Sequence, residues 1–99
     1  MNIEIKDQDS QVNVVVNGDI EMMTIKEFKE KLLNIGQTVD KDIELDLANV
    51  EYIDSSGIGV LVSLLKLQKK KGKTLKIRKM SSKVMNVLKL SSLSDMFEF

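Results

Sequence analysis

Apolar and polar residues alternate along four short stretches of the chain and recur at helical spacing along three others. Near the start, Ile3 and Ile5 alternate with Glu4 and Lys6, which predicts a strand with one apolar face. A polar turn runs from Asp7 to Ser10. Val12, Val14 and Val16 then mark one face of a second strand, and valine suits a pleated surface. The short connection predicts an antiparallel hairpin. Further on, Ile43, Leu45 and Leu47 alternate with Glu44 and Asp46, giving a strand with one buried and one wetter face. A fourth strand is read from Thr74 to Met80, with Leu75 and Ile77 inward.

The helical stretches lie between these strands. Ile25, Phe28, Leu32 and Ile35 recur at helical spacing, behind Thr24 and Glu27, which have the spacing of a capping box. Gly36 stands where a C-terminal cap is expected. A second helix is predicted from about Ser56 to Lys70. Ile58, Leu61, Val62 and Leu65 share one face, and Val60, Leu64 and Leu67 form an adjacent stripe that suits packing on a neighbouring helix. Gly59, Ser63, Lys66 and Lys70 make its polar stripe. Gly72 ends it after Lys69, Lys70 and Lys71, read as a solvated helix end that favours the negative terminus. A third helix begins at Ser81 or Ser82 and carries Val84, Met85, Val87 and Leu88. Phe97 and Phe99, two of the three phenylalanines, are expected to dock the tail.

The predicted order is β-β-α-β-α-β-α, an α/β fold with a four-stranded mixed sheet. Crossovers between parallel strands are right-handed. With strands in sequence order, both crossover helices fall on one face of the sheet. Asn13, Glu44, Asp46, Lys76 and Arg78 then line the more open face. A doubly wound sheet would instead show unbroken apolar strands.

Composition narrows the function. The 99 residues fit one domain, 1–99, with no internal repeat or linker. Lys and Arg together number 15, and so do Asp and Glu, a balance that argues against a nucleic-acid partner. The chain has no Cys and no His. Disulfides, zinc sites built on those residues and His-based catalysis are thereby excluded. No signal peptide is visible at the N-terminus. The apolar run from Ile58 to Leu67 is too short to span a bilayer. The expectation is a cytoplasmic protein with no membrane partner, no metal and no cofactor.

The chemistry concentrates in Asp54-Ser55-Ser56-Gly57-Ile58-Gly59, where the third strand hands over to the second helix. Strand ends of this kind gather ligands in open α/β sheets. A helix start offers unsatisfied N–H groups and partial positive charge. Four readings compete. Asp54 or Ser55 is a good N-cap, with the glycines allowing close packing. A phosphate cradle lacks the Gly-x4-Gly-Lys-Ser/Thr pattern, and Asp54 would repel the anion. A nucleophilic serine lacks the Gly-x-Ser-x-Gly elbow and any His. Phosphorylation of a serine would add about −1.5 to −2 charge at the helix start and act on a docked partner. Met22 and Met23 either suit adaptable contacts at an exposed tip or include a core gap-filler.

The stretch "VEYIDSSGIGVLVSLLK" resembles the signature of the STAS domain, and specifically of bacterial anti-sigma factor antagonists. "VNGDIEMMT" is similar to a second family segment, through Gly18, Asp19, Ile20 and Thr24. "KMSSKVMNVLKLSSLSDMFEF" is similar to the closing helix and tail, so the resemblance spans essentially the whole chain. It implies a non-enzymatic binding module phosphorylated at Ser55. Asp54, Ser56, Gly57 and Gly59 shape that site, and Asp19, Glu21, Met22 and Thr24 help to dock the partner. The implied partners are an anti-sigma factor serine kinase and a serine phosphatase. The unphosphorylated form, expected to be a monomer, would bind the kinase and release a sigma factor. The alternative is a stand-alone STAS signalling scaffold or phospho-input protein with a non-sigma partner. The sequence departs from the family at Glu21 (usually Asp), Ile58 (usually Leu), Ser82 (often Pro) and Ser92 (usually Gly).

Overall fold

In the computed structural model, which describes residues 1–90, the order is β1 (Asn2–Asp7), β2 (Gln11–Asn17), α1 (Ile25–Thr38), β3 (Asp42–Asn49), α2 (Ser55–Lys70), β4 (Leu75–Met80) and α3 (Ser82–Leu90). The expected docking of Phe97 and Phe99, and Ser92, lie outside the described residues. The sheet order is β1-β2-β3-β4. β1 pairs antiparallel with β2, with Ile3 opposite Val16 and Ile5 opposite Val14. β2 with β3 and β3 with β4 are parallel, so α1 and α2 are the crossover helices. This is the mixed sheet that the alternation predicts.

One core holds the layers together. Val12, Val14 and Val16 from β2, Ile43, Leu45 and Leu47 from β3, and Leu75 and Ile77 from β4 are buried. Phe28, Leu32 and Ile35 of α1, Leu61, Leu64 and Leu65 of α2, and Val84 and Leu88 of α3 complete it. Burying an aliphatic side chain fully contributes about 1.5–3 kcal/mol. β1 gains less from this core. It is one of the two edge strands, and Ile5 stays 46% exposed. On the opposite face, the register slips between the Leu45–Ile77 and Asp46–Lys79 pairs. Arg78 and Lys79 are therefore both exposed, 3.8 Å from Glu44 and 3.9 Å from Asp46 respectively. Ion pairs so long and exposed contribute little.

Two helix ends differ from expectation. The Thr24–Glu27 capping box does not form. Thr24 makes no side-chain cap, because its hydroxyl donates to the Asp19 carbonyl at 2.7 Å and accepts from Glu21 N–H at 3.2 Å. Glu27 lies 3.5 Å from Lys31 instead. Nor does Gly36 end α1, which runs on to Thr38. Gly36 is buried where the two crossover helices meet. A Cβ there would lie 2.7 Å from Leu64 Cδ1 and 3.0 Å from Leu67 Cδ1.

The true end of α1 is capped from a distance. Lys71 Nζ donates to the carbonyls of Gly36 at 2.7 Å and Val39 at 2.5 Å. The last turn of α1 has no basic residue of its own, so Lys71 supplies the positive charge that a helix C-terminus favours. One lysine of the run read as solvated thus serves the neighbouring helix. Gln68, fully buried in α2, donates to the carbonyls of Lys41 at 2.9 Å and Thr74 at 2.8 Å. It ties the end of α2 to the starts of β3 and β4. Gly72, at φ +72°, then turns the chain into β4.

Lys71→Met is expected to lower unfolding stability by about 1 kcal/mol. Lys70→Met, on the exposed face, is expected to change it by less than about 0.5 kcal/mol. Urea unfolding of both variants checks the difference, and equal losses would show that Lys71 caps nothing in solution.

Candidate functional site

The site is built where two connections leave the C-terminal ends of the central strands β2 and β3. β2 ends at Asn17, and Gly18 turns the chain at φ +113°. The Gly18 N–H donates to the Asn49 carbonyl at 3.2 Å, while Asn49 Nδ2 donates to Asn17 Oδ1 at 2.6 Å. Ile20 then forms a one-residue parallel bridge with Ile53. Its N–H donates to the Tyr52 carbonyl at 2.9 Å, and its carbonyl accepts from Asp54 N–H at 3.0 Å. The loop before α1 is thereby stitched to the loop before α2. Both isoleucine side chains are buried.

Gly57 makes this arrangement sterically possible. A Cβ at this position would lie 2.5 Å from Ile20 Cγ2 and 2.7 Å from Ile53 Cγ1. Those atoms belong to β-branched side chains with restricted χ1, so they have little room to give way. Gly59 behaves differently. It is exposed, and a Cβ there would meet nothing within 4 Å. The close packing expected of the glycines therefore holds for Gly57 and not for Gly59.

Asp54 caps α2. One carboxylate oxygen accepts the N–H groups of Ser56 at 2.9 Å and Gly57 at 3.2 Å, and the Ser56 hydroxyl donates to the same oxygen. The Ser56 side-chain hydrogen bond is the main cause that holds the Asp54 carboxyl below the ordinary aspartate value. The N–H groups of Gly57 and Ser56 add to it, while burial acts in the other direction. The two serines are thus distinguished by their partners. Ser56 is tied to Asp54. Ser55 is exposed in the first turn, and its hydroxyl has no hydrogen-bond partner among the described residues.

The loop from Asp19 to Thr24 lies beside this cap. Thr24 closes it through the bonds to Asp19 and Glu21 described above. The Glu21 carboxylate folds back to accept the Met23 N–H at 3.1 Å. The Met22 N–H contributes to lowering the Asp54 pKa. Asp19, Glu21 and Thr24 are therefore engaged in shaping the loop, and Met22 and Met23 stand out from it, 79% and 87% exposed. Neither methionine is a core gap-filler. Tyr52, 53% exposed, sits in the partner loop and was not singled out from the sequence. The signal for it is an aromatic side chain between Val50 and Ile53, the two residues that this connector buries.

Among the described residues there is no group of three His, Cys, Asp or Glu side chains that could hold a metal ion. No helix among them is long and apolar enough to cross a membrane.

A sheet in sequence order, a serine pair at the start of α2 and a loop stitched beside it define a recognisable class. The family described as Mlab, STAS domain matches residues 3–98, and the chain belongs to the STAS domain family. It is 33% identical over 96 residues to a Staphylococcus aureus protein named anti-sigma-B factor antagonist, an alignment spanning 97% of this chain and 89% of that protein. The Bacillus subtilis protein of the same name is 28% identical over 98 residues, covering 99% of this chain and 89% of the relative. A crystal structure of a Thermotoga maritima protein, assigned as an anti-sigma factor antagonist, superposes with a TM-score of 0.86 at 28% identity, over 97% of this chain and 83% of that one.

Two outcomes are expected at this site. Gly57→Ala should lower stability by about 1–3 kcal/mol through overpacking, despite the better helix propensity of alanine; a stabilised variant would show that the stitched loops give way freely. For Asp54, the folded pKa lies below the unfolded one. Its contribution to stability is present above about pH 4 and lost as pH falls through the folded value. Asp54→Asn keeps a capping side chain, so its stability should fall less steeply than that of the wild type below about pH 4. Urea midpoints measured across that range provide the check, and parallel curves would remove Asp54 from the acid response.

Proposed function

We propose that this protein is an anti-sigma factor antagonist whose Ser55 is the phosphorylated switch. The observation that carries this reading is the difference between the two serine hydroxyls. Asp54 occupies that of Ser56, whereas that of Ser55 is exposed and, among the described residues, uncommitted at the start of a well-anchored helix. The names of the relatives support the functional class.

In this reading the chain is a substrate and a binding module, not an enzyme. An anti-sigma factor serine kinase transfers the γ-phosphoryl group of ATP to Ser55 Oγ, which gives up its proton, and ADP leaves. A serine phosphatase hydrolyses the ester with water. The unphosphorylated tip binds the kinase and so frees a sigma factor. In this reading the protein is cytoplasmic and acts as a monomer without a cofactor.

The switch follows from local electrostatics. The added group carries about −1.5 to −2 charge at neutral pH. Asp54 already takes the Ser56 and Gly57 N–H groups, so the dipole of α2 and the solvent exposure of Ser55, rather than those donors, let the fold carry the charge. Asp54 beside it favours an outward orientation. There the phosphate joins a surface that exposes Met22, Met23 and Tyr52. A partner burying those side chains must also bury an unpaired dianion, which costs far more than the apolar contact returns. Binding is lost without internal rearrangement.

Incubation with the cognate kinase and ATP, followed by mass spectrometry, tests the site. Ser55→Ala should abolish phosphorylation and Ser56→Ala should retain it. Ser55→Asp should weaken kinase binding about tenfold or more, equivalent to about 1.4 kcal/mol. Undiminished phosphorylation of Ser55→Ala would refute the assignment, and unchanged affinity of Ser55→Asp would refute the switch.

A further inference from the structure

A groove runs between α1 and α2 on the outer side of the helical layer. Its two adjoining depressions share Leu33 and Ser63. Ile25, Leu33, Val60 and Leu67 supply apolar surface along its length. One end opens at Ser56 and Gly59, the other at Lys70. Ser56 and Lys70 are fourteen positions apart on α2, a length of about 21 Å.

Two features set this groove apart from an ordinary solvated helix pair. The first is its charge. Lys29, Lys66 and Lys70 line it, and no Asp or Glu does; Glu30 lines the adjoining flank of α1 instead. None of the three lysines is in an ion pair among the described residues. The second is Gly59. A glycine inside an exposed helix costs about 1 kcal/mol relative to alanine, and here no packing requires it, since a Cβ would meet open space. The missing side chain keeps the groove open where it reaches Ser56.

We propose that this groove is a docking site for an acidic amphipathic helix of a partner protein, laid along α1 and α2 with its apolar stripe on Leu33 and its carboxylates against Lys29, Lys66 and Lys70. Helix-in-groove recognition uses apolar anchors one turn apart, and the length fits a helix of about four turns. A membrane surface fits less well. Interfacial helices present an apolar face that enters the lipid, whereas here the apolar residues form the floor and the lysines the rim. The groove meets the phosphosite end at Ser56, so one partner can cover both. The proposal nevertheless stands independently of Ser55 phosphorylation.

The test uses the full unphosphorylated chain and a synthetic helix of about fourteen residues, with leucine at i, i+3, i+4 and i+7 and glutamate on its other face. A matched peptide carries lysine in place of glutamate. Titration followed by amide chemical shifts should perturb Leu33, Gly59 and Ser63 with the acidic peptide only, and binding should weaken as salt rises. The double variant Lys29→Glu/Lys66→Glu should lose about tenfold or more in affinity, while its thermal midpoint shows whether it remains folded. Gly59→Leu, which fills the open end, should also weaken binding. Equal binding of the lysine peptide, shifts on the open sheet face, or no binding would overturn the proposal. Concentration-dependent shifts of the same amides without peptide would overturn it in favour of a second copy of this chain. Co-flotation with vesicles containing anionic lipid, abolished by the double variant, would overturn it in favour of a membrane surface. Because the peptide is not a kinase, none of these outcomes decides the role of Ser55.

Discussion

The single bridge between Ile20 and Ile53 is the constraint on which the site depends. Two hydrogen bonds fix it, and two buried side chains seal it over a glycine that has no Cβ to obstruct them. Without that closure, the loop before α1 and the loop before α2 would be separate connections with independent motion. With it, Met22 and Met23, Tyr52, and the serine pair occupy one surface of fixed shape. Each loop is then held at a fixed position relative to the other, although Met22 and Met23 are far in sequence from the start of α2.

Asp54 completes this arrangement by doing two things with one oxygen. It satisfies N–H groups that the start of α2 would otherwise leave open, and it immobilises the Ser56 hydroxyl. The same geometry that makes a sound helix cap therefore selects which serine is left uncommitted. The capping and modification readings of the motif are compatible, because they use different residues of the same turn.

Much of the fold was legible in the sequence, because strict alternation and helical recurrence reflect one-sided burial against a single core. Val12, Val14 and Val16, or Ile43, Leu45 and Leu47, leave little choice of face. What escaped was decided by tertiary contacts. Thr24 and Glu27 have the right spacing for a capping box, but the Thr24 hydroxyl finds loop backbone closer to hand. Gly36 reads as a helix end, yet its value lies in letting α2 approach. Lys71 looks like its neighbours in a basic run until α1 is placed beside it. Gln68 carries no sequence signal for burial, since a lone glutamine late in a helix normally faces water. At the site, the motif residues were legible as a cluster. The unequal partners of Ser55 and Ser56 were not, because adjacent identical residues differ only in where the backbone points them.

The anchoring contacts and the exposed tip lie at opposite ends of α2. Gln68 and Lys71 fasten the far end to β3, β4 and α1, while Asp54 and Ser55 begin the near end, about four turns away. Residues so far apart, with no shared partner, contribute to stability nearly additively. The exposed tip can therefore change its side chains from one lineage to another without drawing on the same contacts that keep the helix in place. In the function proposed above, drift at Met22, Met23 and Tyr52 alone would change partner choice in a paralogue, so cross-talk between related copies in one cell would be a matter of a few surface positions rather than of the fold.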